Sequence, residues 1–365
     1  MSQNSGDYRL QTRKGKTEFA YYTFTPRPLM KGNFFEIDNE LTDIFVTTYH
    51  TLGILEGMVK YVPNRESFTE SSLLMECCYS RLIDYNDLSF YSALSGDSVD
   101  CIANIASAYK YSNGKAVTPS ILSDLCKIAL HGTETVEKIS MRKKQIFMLN
   151  GVSNQKVYNP TAPEEIQPSM ADISSFLSNT ELTDALVKAA LAHYQFETIH
   201  PFERYNGIVG RILISTILGS SVLSVPWIIS ISEFLYKNKN DYFDIISSTQ
   251  HSGGYIRWIK FLLLGIRQAA NQAIIRFDKY EKFIERDEAL ITSNKVFTKN
   301  DVRVYNYFKR HLVSKIKPIS EELAISFNTA SKSVISLSDI GILRMENKQS
   351  RHRHFRYSDV FDIFT

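Results

Sequence analysis

Four cysteines in 365 residues (Cys77, Cys78, Cys101, Cys126) show no C-x-x-C spacing. That argues against both a disulfide framework and a structural zinc site. Charge of one sign is also scarce: 42 Lys and Arg against 39 Asp and Glu leave a formal net charge of +3. Such a balance does not by itself diagnose a nucleic-acid binder. Repeats and low-complexity tracts are lacking, and 44% hydrophobic with 22% charged residues excludes disordered and collagen-like classes. The stretch from Met1 to Lys16 is polar and has no apolar segment leading to a small-residue cleavage site, so no signal peptide is expected. One uncharged run stands out, the 21 residues Ile212 to Ser232. It carries Ser215, Thr216, Ser220, Ser221, Ser224, Ser230 and Ser232 and is interrupted by Pro226. A buried helix, a break near Ser224 to Pro226 and a second helix fit it better than a membrane span. A cytoplasmic protein of about two to three domains is the expectation.

The remaining pattern predicts a mainly α protein. Helical apolar spacing runs through Leu41 to Tyr61, Ser71 to Ile83, Ile121 to Ala129, Met170 to Leu177, Ala185 to Phe196 and Tyr255 to Phe277. Gln145 to Leu149 and Lys156 to Tyr158, joined by the turn-rich Asn150 to Asn154, predict a β-hairpin. Glu164 to Pro168 then leads into the next helix. Residues 286–365 hold 14 Lys and Arg against 9 Asp and Glu, which marks a basic second unit. There, helices are expected over Asp301 to Leu312, Ser320 to Ala324 and Asn328 to Ile340, with Gly341 as a stop. Strands follow at Ile342 to Met345 and His354 to Tyr357, around a basic turn from Asn347 to Arg353. Three helices and a β-wing form the winged-helix pattern, which serves either as a packing domain or as a contact for DNA or protein. Ser326, Asn328, Thr329 and Ser331 would there be base or phosphate contacts, or helix caps.

The chemistry concentrates in His200-Pro201-Phe202-Glu203-Arg204-Tyr205-Asn206-Gly207-Ile208-Val209-Gly210-Arg211. The proline pushes His200 toward extended backbone. Asn206-Gly207 is a turn that opens the long apolar helix, whose first N–H groups and positive dipole end suit an anion such as phosphate. Arg211, expected on the first turn, adds a bidentate donor. A histidine beside a phosphate cradle suits a general base, since its ordinary pKa lies near neutrality.

This stretch resembles the signature of the Fic family, H-[PF]-F-x-[DE]-G-N-[GK]-R-x-x-R, at His200, Pro201, Phe202, Asn206, Gly207 and Arg211, with Gly210 also common there. His193 to Ile199 looks like the family's helix leading into the motif. Arg142 to Gly151 with Val157 to Pro160 looks like its β-hairpin flap. The resemblance spans roughly residues 30 to 285, and the basic tail resembles the winged helix that many bacterial members append. It implies a Fic helical bundle with a flap: residues 1–110 as an N-terminal helical region, 111–285 as the catalytic core and 286–365 as the winged helix.

The activity implied is protein adenylyl transfer. His200 would deprotonate a Ser, Thr or Tyr hydroxyl of a target protein, and that oxygen would attack the α-phosphate of ATP. Asn206, Gly207, Gly210 and Arg211 would hold phosphates, Phe202 would anchor the loop, and the flap would align the target chain as an added strand. Tyr242 is the candidate from the aromatic stretch Glu233 to Trp258 for the adenine side. The motif also departs from the family. The acidic position that holds Mg²⁺ is Arg204, the glycine after it is Tyr205, and the first arginine is Ile208. The metal position is therefore altered, no metal-ligating residue is assigned, and Arg204 becomes a candidate phosphate contact.

Leu52 to Gly57 with Val62 to Asn64 resembles the leading helix and turn of the family's N-terminal region. Glu76 to Tyr85 aligns with its inhibitory helix, S-x-x-x-E-[GN], with Ser80 matching and Asp84 standing for the glutamate. The alternative reading is a degenerate nucleotide-binding Fic protein that regulates by binding DNA or protein. DNA contact through residues 286–365 and a homodimer are the further partners this reading admits. The target protein is not specified by the sequence.

Overall fold

Caps written into the sequence start the helices. The computed structural model describes residues 5–13, 19–31, 34–61, 65–85, 99–132, 139–149, 156–179, 184–293, 296–346 and 353–364. In chain order the elements begin with strands β1 (Gly6–Arg13) and β2 (Phe19–Pro26), then helices α1 (Asn39–Tyr61), α2 (Arg65–Asp84), α3 (Val99–Ser112) and α4 (Pro119–Ala129). A short hairpin, β3 (Met148–Leu149) and β4 (Lys156–Tyr158), precedes α5 (Pro163–Ser178), α6 (Ala185–Ile199), α7 (Asn206–Gly219), α8 (Ile231–Lys237), α9 (Lys239–Ser252) and the long α10 (Tyr255–Ser293). The tail holds α11 (Lys299–His311), β5 (Val313–Lys315), α12 (Ile316–Glu322), α13 (Phe327–Asp339), β6 (Leu343–Met345), β7 (His354–Tyr357) and α14 (Ser358–Phe364).

The chain falls into two compact units. The first comprises Met1–Leu52, Ala103–Pro226 and Phe234–Gln268, and the second Gly53–Ile102, Trp227–Glu233 and Ala269–Thr365.

In the first unit α6 and α7 form the centre. The Asp184 carboxylate caps α6, accepting from the Leu186 and Val187 N–H groups at 2.8 and 3.1 Å. From Leu186 to Ile199 nearly every side chain of α6 is buried, as is nearly every side chain of α7. A helix apolar on all sides belongs inside. This resolves the uncharged run: α7 ends at Gly219, and a 3-10 turn at Pro226–Ile228 follows. Among the described residues no helix is long and apolar enough to cross a membrane.

The expected hairpin is present as β3 antiparallel to β4; its turn, Asn150 to Asn154, lies outside the described residues. Pro168, expected ahead of the next helix, lies inside α5, which starts with Pro163 at its first position. The polar N-terminus forms the antiparallel β1–β2 pair, in register from Gly6 opposite Pro26 to Arg13 opposite Phe19. Short-range patterning missed it because the large apolar side chains of β1, Tyr8 and Leu10, are exposed, while the buried Phe24 lies on β2.

The second unit holds the tail. Thr298 and Asp301 form a capping box at the start of α11. Ser326 caps α13, its hydroxyl accepting from the Thr329 N–H at 3.1 Å, so here it is a cap. Gly341, at φ +81°, ends that helix with bonds from its own N–H to the Ser338 carbonyl and from the Ile342 N–H to the Leu337 carbonyl, the Schellman pattern. The sheet runs in the order β5-β7-β6, all antiparallel. Glu76, 1% exposed on α2, accepts from the Ser230 hydroxyl, the Ser232 hydroxyl and the Ser232 N–H at 2.6 to 3.0 Å. It thereby ties α2 to the start of α8. Phe68 packs edge-on against Phe277 and Tyr280, with ring centroids 4.8 and 5.4 Å away.

Candidate active site

The stretch between α6 and α7 is a tight loop closed at both ends by unusual backbone. His200 ends α6 with φ 52° and ψ 65°, its N–H donating to the Phe196 carbonyl at 2.9 Å. It is left-handed, not extended as the following proline suggested. The helix end decides: a left-handed residue there completes the last turn and turns the chain sharply. At the other end Tyr205, the first residue before α7, is also left-handed, with φ 63°. That conformation favours glycine, and Tyr205 occupies the position where the resemblance calls for one.

Asn206 holds the loop together. Its amide oxygen accepts from the Phe202 N–H and its amide nitrogen donates to the Phe202 carbonyl, both at 2.8 Å. Phe202 itself is 1% exposed and lies 6.3 Å, centroid to centroid, from Phe196 on α6. The Asn206 side chain, expected on a phosphate, therefore shapes the loop. What α7 offers an anion is its first backbone N–H groups, which have no partner within the helix; Gly207 lies among them.

His200 is nearly buried. Its Nδ1 lies 3.3 Å from the Glu197 carbonyl and 3.7 Å from the Glu197 carboxylate. A carbonyl only accepts, so Nδ1 carries the hydrogen and Nε2 is the basic nitrogen. Behind this residue stands Arg142, 3% exposed. Its Nε donates to the His200 carbonyl at 2.8 Å, one terminal nitrogen to the Lys144 carbonyl at 3.1 Å, and the other to the carbonyls of Ile199, at 3.1 Å, and Thr161. The Arg142 N–H adds a bond to the Pro201 carbonyl at 2.8 Å. Burial lowers the Arg142 pKa to about 10, which leaves it a cation.

Gly210, another expected phosphate contact, is where α7 crosses α6. A Cβ there would overlap the Glu197 carboxylate and sit 3.1 Å from His193 Cε1. Its role in the fold is close helix packing. Its carbonyl accepts from His193 Nδ1 at 2.8 Å, so His193 Nε2 accepts the Tyr242 hydroxyl at 2.9 Å. Desolvation holds His193 near pKa 3 and hence neutral. Tyr242, expected beside adenine, is 1% exposed with its hydroxyl on His193 and its ring 6.0 Å from Trp258. It is a core residue.

Arg211 is fully buried and lies on the second turn of α7, because the helix begins two residues earlier than Ile208. Arg204 and Glu203 are exposed, and the Arg204 guanidinium has no hydrogen-bond or ion-pair partner among the described residues. The Arg204 carbonyl accepts from the buried Cys126 thiol at 3.7 Å, a thiol that burial keeps protonated up to about 12. Ser80 is buried and Asp84 exposed at the end of α2, both in the second unit. No group of three metal-ligating side chains occurs among the described residues.

Two partners of His200 escaped the sequence. Glu197, three residues earlier on α6, was legible in principle, since that spacing shares a helix face. Arg142 lies 58 residues away, and no local pattern announces it. Two cavities among the described residues, about 620 Å³ beside Arg9 and Asp172 and about 490 Å³ beside Tyr49 and Lys188, are not lined by His200.

Residues 117–218 match the model of the Fic/DOC family. A protein adenylyltransferase Fic of Nematostella vectensis is 27% identical over 170 residues, 44% of this chain and 36% of that protein. A probable protein adenylyltransferase of Aquifex aeolicus is 38% identical over 61 residues, 17% of this chain and 19% of that protein. The alignments thus span about a third or less of these relatives' length. Among solved structures, a Fic family protein from Desulfovibrio desulfuricans G20 superposes with a TM-score of 0.58 over 90% of this chain and 98% of that one. The two share 15% identity, so this likeness is one of fold.

Proposed function

We propose that this chain, which belongs to the Fic/DOC family through residues 117–218, transfers AMP from ATP to a hydroxyl of a target protein. One observation carries the reading: His200, with Nε2 as its basic nitrogen, sits on a rigid loop directly before a helix N-terminus. His200 takes the proton of a Ser, Thr or Tyr hydroxyl, and the freed oxygen bonds to the α-phosphorus. The bond from that phosphorus to the bridging oxygen breaks, and pyrophosphate leaves with the electron pair. The N–H groups opening α7 and the buried Arg211 cation supply positive potential for the phosphates.

A protein-held Mg²⁺ does not fit the donors present. The position that would provide its carboxylate is Arg204, a cation, and hard divalent ions take oxygen ligands. The exposed Arg204 guanidinium supplies phosphate neutralisation instead. Arg204 also favours a second reading, in which nucleotide binds without transfer and the chain regulates through a winged helix at residues 286–365 that contacts DNA. Inhibition by Ser80 and Asp84 rests on the resemblance alone, and is tested by asking whether Asp84→Gly raises transfer.

The experiment is transfer from α-labelled ATP by the full chain and by His200→Ala, on the chain itself and on host lysate. Label lost in His200→Ala supports adenylyl transfer. Nucleotide binding without label in the wild type supports the second reading.

A further inference from the structure

We infer that Arg142 is a positioning residue, whose guanidinium joins both feet of the β3–β4 hairpin to the end of α6 so that the hairpin and His200 keep one register. The inference rests on the reading of His200 as the transfer base. Lys144 lies on the entering foot of the hairpin, Thr161 on the leaving foot, and Ile199 with His200 forms the last turn of α6. One planar group donates to all four carbonyls.

Those carbonyls need the arginine as much as it needs them. The last carbonyls of a helix have no partner within it, and residues 144 and 161 lie outside any ladder. Buried carbonyls left without donors are costly, and so is a buried cation without acceptors. Neither half is stable alone, which makes the arrangement all-or-none. The leaving foot is also fixed from its far side by β2. The Asn159 amide donates to the Tyr22 carbonyl at 2.6 Å, and the Thr161 hydroxyl donates to the Phe24 carbonyl at 3.0 Å. The hairpin cannot shift against α6 without breaking one set of bonds or the other.

A target chain paired to this hairpin as an added strand would have its hydroxyl placed by the hairpin and its proton taken by His200. The distance between these two groups is then set through Arg142. Displacements of about 1 Å at a reacting centre lower rates by about 100-fold. Lysine at this position is a point donor and cannot reproduce the fork.

The test uses the full chain with Arg142→Lys and, as a second variant, Arg142→Gln. Label transfer, ATP affinity and amide hydrogen exchange are measured in each. The expected result is kcat lowered by about 10- to 100-fold, with ATP affinity within about twofold of wild type because α7 is untouched. Exchange should rise together at residues 143–149, 156–161 and 199–203, and stay unchanged in the middle of α6 and α7. Wild-type kcat in the variants overturns the inference, as does exchange that rises in the hairpin alone or evenly throughout. If the wild-type chain transfers no label, the adenylyl-transfer reading has failed by itself. The exchange pattern still decides whether Arg142 couples the hairpin to His200.

Discussion

Asn206 grips the backbone of Phe202 from both sides, its amide oxygen on the Phe202 N–H and its amide nitrogen on the Phe202 carbonyl, each at 2.8 Å. Four residues separate them, so the whole sharp bend between α6 and α7 is held by one side chain. Asn206→Ala leaves a buried donor and a buried acceptor unpaired at once. The expected loss of stability is about 2–4 kcal/mol, read as a lowered midpoint in urea unfolding. Asn206→Asp should recover part of it, since a carboxylate keeps the acceptor but not the donor. Equal losses in the two variants would show that the paired bonds are not what holds the loop.

Gly210 is required by contact distance rather than by backbone angle. A methyl group at this position meets the Glu197 carboxylate and His193, both in the α6 face that packs on α7. Gly210→Ala should therefore destabilise by about 1–3 kcal/mol, as overpacking does. It should also disturb the His193 bond to the Gly210 carbonyl. Chemical denaturation gives the first effect, and the shift of the His193 ring signals in NMR gives the second. A neutral Gly210→Ala would mean that the helices can separate locally at no cost.

Much of this was legible along the chain, and the exceptions share a cause. The Asn206-Gly207 opening of α7, the two strands of the hairpin and the Gly341 stop all depend on neighbours within a few residues. Sequence patterns read such features directly. Arg142 finds its carbonyls 19 and 57–58 residues away, and β2 is braced by residues 159 and 161. Tyr242 read as an available aromatic because its acceptor, His193, lies 49 residues earlier on another helix. His200 was misjudged for a different reason: the rule for residues before proline is real, but a helix terminus imposed a stronger demand.

His193 should govern part of the acid sensitivity. Burial holds it near pKa 3 in the folded chain, against about 6.5 when unfolded. Below about pH 6.5 the unfolded chain therefore binds a proton that the folded chain refuses, so stability falls as pH drops. The contribution is fully present above that pH, is lost progressively down to about pH 3, and is on the order of 5 kcal/mol in total. Urea midpoints measured from pH 7 to pH 4 should slope downward in the wild type. The slope should flatten in His193→Gln, which cannot titrate. An unchanged slope would assign the acid sensitivity to other groups.

Arg204 decides how the phosphates are neutralised, and its surroundings make it a clean position to test. The side chain is exposed and unengaged among the described residues, while its carbonyl is held by the Cys126 thiol. A change of side chain should leave the loop as it is, with stability within about 0.5 kcal/mol. Arg204→Asp places an oxygen ligand where the family pattern has one and removes a cation next to the anion-binding end of α7. Transfer from α-labelled ATP in Mg²⁺ should rise by about tenfold or more, the equivalent of one good charge-assisted contact at the reacting phosphate. Transfer without added metal should fall if Arg204 itself carries the neutralisation. Should Arg204→Asp bind nucleotide and still leave every target unlabelled, the scaffold binds without transferring AMP, and the regulatory reading takes its place.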